Sequence, residues 1–419
     1  MNIKRPPVPG AFLRLTEVEQ LQNILRLEIC EMEEEGFDVV GFREMLGQRS
    51  TKTQLMSINN KLLSALRIKE FEFSEPETLI GIRSVRPDGP RDAQLNLDPA
   101  VLYVRIHDGW LGWIAGCVLG KPVELWGLKE TIIEYLKLAG NYPLTNYIPR
   151  LYPFPVEFFL NPSVAATFLG EIHGAPQDDD TDFTVLGLHL MEIYGLALKV
   201  SDVATEWLDH LAYTCTWTAE RAAYHNLILG IPAEKAASLL NPERDYIGER
   251  IRADIYGLAC PGNPEQAATL AYQDAALSHM KNRIYSAMFM AAMLAWSFVT
   301  TDIVEIIQVG LSEIPHTCRL AEAVGEVVAQ HSKVADWESA HERLLPKQAA
   351  YHPVHAINNT VWLVLALLYG NGDFEKRFAR RSYAALIPTA MAQMPEQWRE
   401  CLLGHKPCVI NGSISWKIP

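Results

Sequence analysis

An all-α fold is predicted for this chain by three observations. Apolar residues recur at three- and four-residue intervals over long stretches, period-two alternation is scarce, and short Gly, Pro and Asn loops separate the stretches. At 419 residues and 49% hydrophobic content, the chain can bury a large core. Val18, Leu21, Leu25, Ile29 and Met32 mark one face of a first helix, with Thr16 and Glu19 as a capping-box pattern and Gly36 as its stop. Residues 74–99 cluster turn formers (Ser-Glu-Pro-Glu, Arg-Pro-Asp-Gly-Pro-Arg, Asn-Leu-Asp-Pro), which reads as a connector closing a small N-terminal helical extension, 1–98. Past that boundary, periodic stretches predict helices around 128–140, 184–198, 203–230, 265–281, 284–300 and 356–369. Neither an internal repeat nor a low-complexity tract is present, which argues against a solenoid.

Charge and cysteine usage narrow the function classes. A net charge of −13 argues against binding a phosphate backbone, so no nucleic-acid partner is expected and a small-molecule or cation-dependent site is favoured. Seven cysteines at 30, 117, 215, 260, 318, 401 and 408 form no C-x-x-C pair, so neither a disulfide framework nor a structural zinc site is indicated and a reducing cytoplasm fits best. The basic start, Met1 to Pro7, lacks a following apolar segment, and the longest apolar stretch, Ala287 to Val299, is too short to span a bilayer. Export and membrane insertion are not expected. Oligomeric state is not legible.

The most informative run is Gln177-Asp178-Asp179-Asp180-Thr181-Asp182-Phe183-Thr184. Four carboxylates in five residues repel one another and persist most easily where a cation offsets them. Phe183, Leu186, Leu190 and Ile193 follow at helical spacing, so the run opens a helix, whose N-terminal dipole favours negative charge by about 0.3–1 kcal/mol per group. Oxygen donors without nearby Cys or His point to Mg²⁺, Mn²⁺ or Ca²⁺. Read alone, the run is more often a helix cap at Asp178 or Asp179 with solvated neighbours than a metal site. Upstream, Gly109, Gly112, Gly116 and Gly120 form a small-residue stripe that ends at Lys121-Pro122-Val123-Glu124; helix packing explains the glycines but not the glutamate.

Together these segments resemble the ADP-ribosylglycohydrolase family (the dinitrogenase-reductase-activating glycohydrolases and their relatives, jellyfish crystallins among them), with a first motif ending in Glu and a Thr/Ser-Asp-Asp-Thr run opening a helix. Glu124 matches the first motif, and Asp178, Asp179, Asp180 and Thr181 the second, while Cys117 stands where many members carry Asp and Asp178 where many carry Thr. A third block, Asp274 to Asn282 with Ser278-His279, is similar to the family's Ser/Thr-His segment, and His355 to Lys376 to its late region; Arg283 and Ser286 occupy positions where one branch favours Gly. The resemblance covers roughly residues 99–376. It implies an orthogonal multi-helix bundle that cleaves a glycosidic bond to ADP-ribose, normally with two Mg²⁺ or Mn²⁺ ions. By resemblance, Asp178, Asp179 and Asp180 are metal ligands, Glu124 and Asp180 are catalytic, and Asp274, Ser278, His279 and Asn282 contact substrate. Glu124 and the Asp run should then lie within about 12 Å of each other to share oxygen-ligated ions, and His279 should face the same cleft.

The family completes its metal pair with a late Asp-Thr-Asp motif, yet no Asp occurs after Asp373. Synonymous codons for residues 376–393 exist such that a frame displaced by one base, starting at the last base of the Lys376 codon, reads Ala-Ile-Cys-Ala-Thr-Val-Ile-Arg-Gly-Phe-Asp-Thr-Asp-Cys-Asn-Gly-Ala. A frameshift near Lys376 would make residues 377–419 an aberrant tail, not selected to pack, with the second ion weakened or lost and activity doubtful. The alternative is a noncatalytic ligand-binding or crystallin-like member.

Overall fold

The computed structural model describes residues 17–370, apart from 47–50, 69–70, 125, 127–128, 143, 145, 159 and 161. The Thr16 half of the expected capping box and the expected aberrant tail, 377–419, lie outside the described residues. Among those described, the fold is all-α; apart from three isolated bridges, no strand forms. In chain order the helices are α1 (Glu17–Glu34), α2 (Phe42–Met45), α3 (Lys52–Leu62), α4 (Leu79–Val85), α5 (Pro99–Gly120), α6 (Lys129–Leu138), α7 (Asp179–Tyr194), α8 (Val200–His210) and α9 (Thr218–Ile228). They continue with α10 (Ala233–Ala236), α11 (Asp254–Ala259), α12 (Pro264–Ala275), α13 (Asn282–Trp296), α14 (Ile303–Ser312), α15 (Arg319–His331), α16 (Trp337–Gln348) and α17 (Ala356–Tyr369).

The core is organised around α13. Its sequence is apolar on nearly every side, as a helix surrounded by protein requires, and every residue from Asn282 to Trp296 is buried. Helices α11, α12, α14 and α17 enclose it, and α17 is itself buried throughout. Close approach is enforced at Gly257 on α11, where a Cβ would stand 2.6 Å from the Leu294 side chain and 2.9 Å from the Ala291 carbonyl oxygen. The expected single stretch over 203–230 is corrected to two helices. α8 ends at His210 and α9 begins at Thr218, because Leu211, Ala212, Thr216 and Trp217 adopt extended backbone around a short 3₁₀ turn at Tyr213–Cys215.

The N-terminal segment builds a small core of its own. Leu21, Leu25, Ile29 and Met32 of α1 meet Leu55, Ile58 and Leu62 of α3, each contributing about 1.5–3 kcal/mol by burial. Gly36 ends α1 with φ +77°, the left-handed conformation that favours glycine at a helix stop. The C-terminal half of α1 and the turn after it meet the main body through two ion pairs and a histidine contact. Arg244 pairs with Glu28 at 2.7 Å, Lys281 with Glu35 at 2.6 Å, and His355 with Glu34 at 3.2 Å. Residues 71–98 are not a free connector. Arg319 grips Glu75 at 2.9 and 3.0 Å, Arg86 pairs with Glu313 and Glu265, and the Ala93 amide donates to the Gly262 carbonyl at 2.8 Å.

Candidate active site

Two helix ends meet to form the site. α5 is started by Asp98, whose side chain accepts from the Ala100 amide at 2.7 Å, with Pro99 at the first helical position. Its last turn tightens into a 3₁₀ turn at Lys121–Val123, which ejects Glu124 into extended backbone. Within α5, Gly109 faces Leu258 of α11 at a distance where a Cβ would stand 3.3 Å from the leucine, so the stripe of small residues serves packing there. α7 packs against α5 and carries the acidic run at its N-terminus. Asp178 is both cap and site residue: its carboxylate accepts from the Asp180 amide at 3.1 Å, while Thr181 donates to its carbonyl at 3.0 Å. Thr184 donates to the Ile251 carbonyl at 3.1 Å and fixes α7 against the 3₁₀ segment Ile247–Arg252.

The structure brings Glu124 and the Asp run together. Carboxylate oxygens of Asp178, Asp179 and Asp180 lie within 4.8 Å of one another. Lys121 joins them to the glutamate: its Nζ is 2.7 Å from Glu124 Oε2 and also bonds Asp178. Carboxylates that contact a single nitrogen lie far inside the 12 Å limit. Burial raises the Asp179 and Asp180 carboxyls well above the usual range, and the neighbouring Asp178 charge adds to it. Burial alone would depress the Lys121 ammonium, yet Glu124 and Asp178 outweigh it and hold it above its ordinary value. Arg250, wholly buried and lowered to about 10 by desolvation, feels the Asp180 charge and donates to Thr360 Oγ1 at 3.2 Å.

Lys121 and Arg250 were not among the residues singled out from sequence. The first had a signal, a cation three residues before Glu124 in a tight turn. The second had none, because Arg250 reaches the run only through the tertiary contact of its 3₁₀ segment with α7.

The third block falls elsewhere. His279 is 0% exposed, its Nδ1 2.7 Å from Ser278 Oγ and its Nε2 3.6 Å from Glu249, so the expectation that it faces an open cleft is corrected. Burial, with Arg252 and Arg283 nearby, pushes its pKa well below the ordinary histidine value, so the ring is neutral. Ser278 accepts from Arg252 at 3.1 Å. Asp274 accepts from the Tyr256 hydroxyl at 2.8 Å and pairs with Arg252 at 3.1 Å. Asn282 accepts from the Leu320 amide at 3.0 Å, joining α13 to α15. All three are buried and occupied in holding helices together, and none presents a free surface to substrate. The spacing on α12 and α13 was readable; which polar groups the tertiary fold would seal was not. Arg283 and Ser286 fill the space a glycine would leave, Arg283 pairing with Asp245 at 2.7 Å.

No curated protein and no solved structure matches the chain. A sequence profile of the ADP-ribosylglycohydrolase family does, over residues 98–380, beginning at the cap of α5 and including both motifs that meet at the carboxylate cluster. With more than half of its length so matched, and with an all-helical architecture to go with it, the chain belongs to the ADP-ribosylglycohydrolase family.

Proposed function

We propose that this chain is built as a divalent-metal-dependent hydrolase of a glycosidic bond to ADP-ribose or a related ribosyl group. The observation that carries the reading is the clustering of Asp178, Asp179 and Asp180, with Glu124 joined to Asp178 through Lys121, supported by the family match. An all-oxygen donor set suits Mg²⁺ or Mn²⁺ better than zinc, and Asp178, Asp179 and Asp180 would hold the ion. When bound, the cation supplies positive charge that orients ribose hydroxyls and stabilises charge developing at the sugar. Glu124, steadied by Lys121, accepts a proton from the attacking water as the water oxygen bonds to C1″ and the C1″ bond to the leaving group breaks; the leaving group takes up a proton from solvent, and Glu124 later returns its own to solvent. The substrate is an ADP-ribosylated molecule. The free state of the five described cysteines fits a reducing, cytoplasmic setting.

A second, noncatalytic reading rests on one specific observation: no Asp follows Asp373, so the late Asp-Thr-Asp ligands are absent from this chain. A frameshift near Lys376 accounts for that loss, and the family match ends at residue 380. The test has two arms. First, the DNA around codon 376 is sequenced and the displaced frame restored; codons that cannot encode the displaced motif refute the frameshift. Second, ADP-ribose release from arginine- and serine-linked substrates is measured with Mg²⁺ or Mn²⁺ for both versions, with Glu124→Gln and Asp179→Asn as controls. Restored activity that both substitutions abolish is expected. Activity that survives both substitutions refutes the site, and equal activity and metal affinity in the two versions show the late motif to be dispensable.

A further inference from the structure

We infer that His189, Glu206 and His210 form a second metal site, specific for a transition-metal dication of the zinc class and separate from the carboxylate cluster. Glu206 and His210 stand four residues apart on one face of α8, and His189 faces them from α7. Both imidazoles turn Nε2 to the same atom: His189 lies 3.0 Å and His210 3.1 Å from Glu206 Oε2. All three ligand atoms fall within 4.8 Å of one another. Ligands about 2.0–2.2 Å from a tetrahedral zinc ion sit about 3.3 Å apart, so small side-chain rotations close the site. The imidazole rings meet edge to face, with centroids 4.8 Å apart, so they do not stack and both nitrogens can converge on one point.

Glu206 is nearly buried, whereas the His189 and His210 side chains are 35% and 52% exposed, so the carboxylate forms the floor and the imidazoles the walls of a site open to solvent. The floor is oriented from outside the ligand set: Tyr194 donates to Glu206 Oε1 at 2.7 Å, leaving Oε2 toward the imidazoles. Asp202 and Asp209 add negative charge nearby. Two imidazoles and one carboxylate select zinc, cobalt, nickel or copper over Mg²⁺ and Ca²⁺, which take oxygen ligands. His189 is ten residues beyond Asp179 along α7, roughly 15 Å of helix rise, so the two sites do not share ligands.

The test is equilibrium dialysis of the full chain against Zn²⁺ at neutral pH, with Co²⁺ as a spectroscopic stand-in. We expect tight uptake that His189→Ala and His210→Ala each weaken by more than about 100-fold, that Tyr194→Phe weakens by roughly 10–100-fold as an orienting partner should, and that Asp179→Asn leaves intact. Cobalt should give the intense visible absorption of a tetrahedral nitrogen-ligated ion, lost in His210→Ala. No zinc uptake by the wild type, or uptake by both histidine variants as tight as that of the wild type, overturns the inference; uptake abolished by Asp179→Asn alone assigns the metal to the carboxylate cluster and overturns it too. Because His210 is half exposed, its replacement leaves the fold standing, and circular dichroism verifies this for each variant.

Discussion

Among the described residues, replacing Lys121 by methionine removes the one side chain that bonds Glu124 and Asp178 at once. The substitution keeps the aliphatic volume and deletes the charge, so two carboxylates at the site lose their shared partner while Asp179 and Asp180 remain beside them. Breaking a largely buried ion pair by deleting one member costs about 3–5 kcal/mol; with the Lys121 side chain 13% exposed, we take the lower figure, about 3 kcal/mol. For a folded unit of roughly 350 residues the unfolding entropy is about 0.7 kcal/mol per degree, so the melting temperature should fall by about 4 °C without added metal. The same argument gives a second expectation. A divalent cation takes over the charge the ammonium supplied, so the Mg²⁺- or Mn²⁺-induced rise in melting temperature should be larger in Lys121→Met than in the wild type and should recover most of the loss. Differential scanning fluorimetry with a metal titration measures both, with Lys121→Arg as the charge-conserving control. If the metal-free variant melts within about 1 °C of the wild type and shows the same metal-induced rise, the ammonium does not stand in for a cation and the reasoning fails.

Three further outcomes are expected. Burial pushes the Glu249 carboxyl up to about 8 from 4.5, so folding takes up a proton there: its contribution to stability is complete below pH 4.5 and is lost as pH rises towards 8, by roughly 1 kcal/mol per pH unit. Denaturant melts at pH 7 and 8 should therefore show a smaller decline in Glu249→Gln than in the wild type, an interval above the range in which the neutral His279 titrates on unfolding; parallel declines would contradict the assignment. Gly257→Ala places a Cβ against the Leu294 side chain and the Ala291 carbonyl, and overpacking there should cost about 1–3 kcal/mol in chemical denaturation; an unchanged midpoint would show that α11 and α13 can separate freely. Arg319→Met should destabilise by about 3–5 kcal/mol because it strands the buried Glu75, and adding Glu75→Leu should return much of the loss; no recovery in the double variant would place the energy elsewhere.

Local signals carried the secondary structure where a cap and a periodic face agreed. α17 spans residues 356–369 as the periodicity required, and α7 starts where Asp178 caps it. Periodicity failed where two short helices share a face: α8 and α9 read as one because Tyr213 to Trp217 are as compatible with a helix as with the turn they form. The meeting of Glu124 with Asp178 was legible through motif order, because that order reflects which helix ends the family brings together. The enclosure of His279 was not, since exposure is fixed by Arg252, Glu220 and Glu249 arriving from other elements. The His189, Glu206 and His210 cluster escaped notice for a related reason. Its members are separated by a turn, and only the packing of α7 on α8 makes them neighbours.

The charged seam between α1 and the main body bears on where this chain could be cut. The family match starts at residue 98, as though the preceding residues were a detachable addition. Yet Arg244, Lys281 and Arg319 on the body side are all at least nine-tenths buried and find their acids in Glu28, Glu35 and Glu75, which precede the matched segment. Three basic residues committed to partners outside the matched segment make the two parts mutually dependent in the fold. The matched segment and the folded unit do not coincide, and excising residues 98–380 would strand three cations in the interior instead of liberating a portable domain.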